Sequence, residues 1–107
     1  MDKPRLTRIR QLAQTAATAD PYELAREISA EATMQDEFEL MMLFGRLSDQ
    51  WEDLPAHRAD IEAAIKEAAL EWLDLPPDGR AVEAYHERWA HWLIESWKRR
   101  PASDPDT

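Results

Sequence analysis

From Leu40 apolar side chains recur at Phe44, Leu47, Trp51 and Leu54, and from Ile61 they recur at Ile65, Ala68, Trp72 and Leu75. Alternating steps of four and three residues put every one of these side chains on a single face of an α-helix, whereas a strand would scatter them over both faces. This rhythm constrains the chain more than any other feature. It requires helices that bury one stripe against each other, at the shallow crossing angle of a bundle.

Helix boundaries follow from local chemistry. The first helix is predicted over about Pro4 to Thr18, with Leu6, Ile9, Leu12, Ala13 and Ala16 inward. "DPYE" opens the second: Asp20 is the N-cap, Pro21 the first helical residue and Glu23 the closing member of a capping box, and Leu24, Ile28 and Ala32 face inward. "TMQD" repeats that start signal, so the third helix is expected from Thr33 to Leu54, where Pro55 stops it. The fourth covers about Ala56 to Asp74. "PPDG" breaks the chain, and Asp78 caps a fifth helix from about Gly79 to Arg99. No strand pattern occurs and the connections are short. The expected fold is all-α: one domain, residues 1–100, as a compact bundle of four to five antiparallel helices, followed by a disordered tail over 101–107.

The fifth helix carries the stretch richest in chemistry, "AYHERWAHWLIESWKRR". On a wheel Val82, Tyr85, Trp89, Trp92 and Leu93 share one side and Arg80, Glu83, Glu87, His91 and Glu95 the other. Trp89 and Trp92 therefore belong to the stripe a bundle must bury, and Trp97 sits at its edge, near His86. Glu83 and His86 form one Glu-x-x-His unit, but a di-iron bundle needs two and further glutamates, and His57 has no such partner. No metal or cofactor is expected. There is no cysteine, so thiolate chemistry is excluded.

Arg80 and His86 make an Arg-x5-His pair early in the last helix of a small helical chain. That pair resembles the motif of HEPN ribonucleases, with Ala81 where the family has a polar residue. The resemblance implies an RNA-cleaving alternative in which Arg80 and His86 are the catalytic residues, brought together across a homodimer.

Charge favours a different class. The net charge is −9, and residues 20–78 hold 16 acidic side chains against Arg26, Arg46, Arg58 and Lys66, while Lys3, Arg5, Arg8 and Arg10 make the N-terminus basic. Nucleic-acid affinity comes from phosphate neutralisation, which this distribution opposes; a protein with a basic surface suits it better. Asp60, Glu67, Glu71 and Asp74 form one acidic stripe, and Glu23, Glu27 and Glu31 another. A second docking candidate is "FELMMLF", where Phe38, Met41 and Met42 lie off the core stripe, together with Trp97. The expectation is a non-catalytic cytoplasmic protein without membrane attachment. It would neutralise a nucleic-acid enzyme or toxin in the manner of an antitoxin, immunity or anti-defence protein. A structural or chaperone-type subunit docking through the apolar face is the other non-enzymatic alternative, and homodimerisation stays open.

Overall fold

A computed structural model of the chain describes residues 4–76 and 78–102, with side-chain surroundings over 7–76 and 78–95. Among these residues five α-helices follow one another: α1 (Pro4–Gln14), α2 (Pro21–Met34), α3 (Phe38–Asp53), α4 (Arg58–Asp74) and α5 (Gly79–Ala102), with a 3-10 turn at Pro55–His57 before α4. No strand occurs among the described residues, and the helices form an all-α bundle.

Helix α3 is central, packing against α2, α4 and α5, while α1 covers α2 and α4. The core holds the expected stripes: Ile9, Leu12, Ala13 and Ala16; Leu24, Ile28 and Ala32; Leu40, Phe44 and Leu47; Ile61, Ile65 and Ala68; Tyr85 and Trp89. Each large side chain buried there stabilises the fold by roughly 1.5–3 kcal/mol relative to exposure. Trp51, Trp72 and Trp92 pack against this core from its edge and are only partly buried. The Leu6 and Trp97 side chains and residues 103–107 lie outside the described residues, and α5 runs to Ala102, past the expected end at Arg99.

Two boundaries differ from expectation for identifiable reasons. Thr33 does not open α3; it lies in the last turn of α2, its hydroxyl donating to the Ser29 carbonyl at 2.8 Å. Helix α2 then closes in a Schellman motif. The Glu37 N–H donates to the Ala32 carbonyl at 2.8 Å, the Asp36 N–H to that of Thr33 at 3.3 Å, and Asp36 takes the left-handed conformation at φ 62°. A motif that reads as a helix start is a helix stop. Helix α1 ends at Gln14 rather than Thr18, because the Thr15 hydroxyl takes the Leu12 carbonyl at 2.7 Å and the Thr15 and Ala16 amides fall back to i−3 acceptors. Asp20 and Asp78 cap as expected, accepting from Glu23 N at 3.0 Å and Arg80 N at 3.1 Å.

The joints between helices are specific. A Cβ at Gly45 would stand 3.1 Å from Ser29 Oγ, so α2 and α3 approach tightly there. The Trp51 ring stacks on Tyr22 at 4.3 Å, carries the Arg58 guanidinium 3.8 Å from its centroid, and donates its N–H to Glu62 at 2.9 Å. One side chain thus links α2, α3 and α4. Helix α5 meets α4 through long side chains: Tyr85 donates to the Ala68 carbonyl at 2.8 Å, and Trp89 to Glu71 at 3.0 Å.

Candidate functional site

Between α3 and α5 runs an open groove of about 810 Å³. The two helices point the same way along it, since Glu39 approaches His86 and, further on, Gln50 Nε2 donates to the Leu93 carbonyl at 3.1 Å. Helix α3 supplies Phe38, Met42, Arg46, Asp49 and Asp53, one residue per turn, with Glu39, Leu43 and Gln50 deeper or beside them. Helix α5 supplies His86, Ala90, Leu93 and Ile94. Phe38 is 65% exposed and Ile94 53% exposed, so two large apolar side chains of this groove stand in water.

The apolar surface is not evenly laid. At the start of the groove it comes from α3, as Phe38 and Met42; at the far end it comes from α5, as Leu93 and Ile94. Ala90 and the buried Leu43 join the two ends. Charge occupies the remaining corners: Glu39 beside His86 at one end, and Asp49 and Asp53 at the other, with Arg46 the one basic residue of the lining among the described residues. The result is an apolar diagonal with an acidic residue at each end.

His86 shares the Glu39 corner. Its Nε2 is 3.9 Å from Glu39 Oε1 and its ring meets the Tyr85 ring edge-on at 5.0 Å. Burial lowers its pKa below the usual histidine value, and the carboxylates of Glu39 and Glu37 partly oppose that shift. Near neutral pH the imidazole is therefore uncharged and the groove keeps its negative sign. Arg80 sits in the exposed first turn of α5, about 1.7 turns from His86, and does not line the groove. Within one chain the two residues are not brought together.

Of the residues singled out in the apolar stretch, Phe38 and Met42 line the groove. Met41 turns toward the core, against which it packs, and its carbonyl accepts from Ser29 Oγ at 3.1 Å. Trp97 follows Ala90, Leu93 and Ile94 at helical spacing in the sequence, but its side chain is outside the described residues.

The acidic stripes divide. Glu67, Glu71 and Asp74 border a second, shallow depression of about 660 Å³ together with Lys66, Leu70 and Arg88. Glu71 is occupied there, accepting from Trp89 and pairing with Arg88. Asp60, Glu23 and Glu27 are exposed and line neither concavity, and Glu31 accepts from Gln35 Nε2 at 2.9 Å. Among the described residues no group of three or more His, Asp or Glu side chains is arranged to hold a metal, and no helix is long and apolar enough to cross a membrane.

Fold and site together define an all-α bundle with an acid-cornered apolar groove. No family model, no curated protein and no solved structure matches the chain.

Proposed function

We propose that this protein is a non-catalytic binding module that captures a protein with a basic surface and occludes the surface it covers. The observation that carries this reading is the groove between α3 and α5, where Phe38, Met42, Leu93 and Ile94 offer apolar area and Glu39, Asp49 and Asp53 set a negative sign. A folded chain that leaves large apolar side chains of two helices facing one concavity has a surface ready to be covered. Charge in the corners selects what covers it.

The acidic stripe of α4 has a lesser part in this reading. Asp60, Glu67 and Asp74 add to a field that attracts a basic partner from a distance, and the groove supplies the contact. Neutralisation of a nucleic-acid enzyme or toxin is the form of inhibition that fits best, because such proteins carry the basic surfaces this field attracts.

The test is kinetic, on a partner recovered by co-purification. Phe38→Glu and Ile94→Glu should speed dissociation, and Glu67→Lys should slow association alone, with added salt removing that effect as the Debye length falls below about 8 Å. Binding indifferent to both groove substitutions would refute the reading.

A further inference from the structure

We infer that the element received by the α3–α5 groove is an amphipathic α-helix of the partner, about four turns long, with a basic residue toward each end. This rests on the groove being the binding surface. Three observations select a helix over other peptide forms.

Both walls are helices, whose backbone N–H and C=O groups bond within the helix, so the groove offers side chains and no strand edge to extend. Among the described residues its lining contains no Trp or Tyr, the residues that grip proline-rich segments. Ala90, exposed on α5 between His86 and Leu93, is small enough to let a third helix approach closely.

Dimensions set the length. Phe38 and Asp53 are the first and last of 16 residues, and at 1.5 Å per step the α3 wall is roughly 22 Å long, which about four turns of a helix fill. An apolar diagonal from Phe38 and Met42 to Leu93 and Ile94 suits a stripe at i, i+3/i+4 and i+7 on a helix laid obliquely. Glu39 and Asp49 are 10 residues apart and Glu39 and Asp53 are 14, so the acidic corners stand about 15–21 Å apart. Lysine or arginine residues 10–14 positions apart on the incoming helix reach both corners. The occupant is thereby distinguished from a merely cationic chain: its bases flank the apolar stripe instead of replacing it.

The probe is a synthetic peptide of about 16 residues with Leu at i, i+3, i+4 and i+7 and Lys at both ends, a length that spans four turns. Two controls accompany it: a scramble of identical composition, and the same helix with Lys replaced by Glu. Titrated calorimetrically into the intact protein, the basic amphipathic peptide should bind about tenfold or more tightly than either control. Phe38→Glu and Ile94→Glu should each weaken it by about tenfold, as removal of anchoring apolar side chains does. Leu70→Glu, at an exposed apolar residue outside the groove, should leave it unchanged.

Equal binding of the scramble would overturn the proposal, because charge alone would then suffice. Failure of all three peptides would overturn it as well, and so would sedimentation of the free protein as a dimer that Ile94→Glu dissociates, since a second copy would then fill the groove. If a basic protein partner still loses affinity on Phe38→Glu while no peptide binds, the helix proposal fails and the groove reading survives. If that partner ignores Phe38 and Ile94, both fail.

Discussion

The Trp89 indole N–H donates to Glu71 Oε1 at 3.0 Å, and the same carboxylate pairs with Arg88. A residue that belongs to an acidic stripe by its spacing is therefore a joint between α4 and α5. Trp89 is 97% buried as a residue, so its N–H has no ready substitute for this acceptor.

Glu71→Ala should destabilise the fold by about 1–2 kcal/mol, the cost of leaving a buried donor unpaired. Glu71→Gln keeps a carbonyl acceptor and should recover most of that loss. Arg88→Ala should cost no more than about 0.5 kcal/mol, since Arg88 is half-exposed and its ion pair is screened. Urea unfolding of the three variants decides the matter; equal losses at Glu71→Ala and Glu71→Gln would mean that charge, not the indole bond, is what counts.

Tyr85 gives the bundle an alkaline limit. Its hydroxyl is buried against the Ala68 carbonyl, and burial raises its pKa well above the ordinary 10.0. The folded state holds this proton while an unfolded chain releases it above pH 10, so stability is complete below that pH and declines as pH rises beyond it. Tyr85→Phe should cost about 1 kcal/mol at neutral pH for the lost hydrogen bond, and should flatten the loss between pH 10 and 11.5. A slope unchanged by the substitution would place the alkaline transition elsewhere.

His86 acts at the acid end, with opposite sign. Its lowered pKa means that the unfolded chain takes up a proton first as pH falls through the ordinary histidine value of 6.5, so stability drops below that pH. His86→Gln should lessen that acid-side loss in thermal melts between pH 7 and 5. A melt series in which the variant and the parent decline in parallel would exclude His86 as the source.

Asp36 is the one non-glycine residue with positive φ among those described. At this left-handed position after α2, Asp36→Gly should stabilise by about 0.5–1 kcal/mol, and Asp36→Val should destabilise by about 1–2 kcal/mol. Thermal melts that rank Val above Gly would contradict the Schellman assignment.

The architecture was legible because burial in a helix is periodic. Ile61, Ile65 and Ala68 repeat at the steps a core requires, and proline and aspartate mark the ends. Thr33 and Asp36 misled because a Schellman stop and a capping-box start use the same residue types; hydrogen-bond direction separates them, and sequence carries no direction. Glu71 misled for a related reason: spacing places a carboxylate on a face without saying what reaches it from another helix. The groove was half legible. Phe38 and Met42 stood out as apolar residues off the core stripe, but Ile94 did not, although Trp92, Leu93 and Ile94 in succession span a wider arc than one core face needs. That Ile94 and Phe38 share one concavity depends on how α5 lies against α3, a tertiary relation that periodicity cannot supply.

The central claim, that the α3–α5 groove is the binding surface, is tested most directly by a two-dimensional amide NMR titration of the labelled protein with the basic amphipathic peptide. The largest shifts should fall at Phe38, Met42, Arg46, Ala90 and Ile94, with little change at Asp60, Glu67 and Asp74. Shifts concentrated on the acidic stripe of α4, with the groove silent, would contradict it.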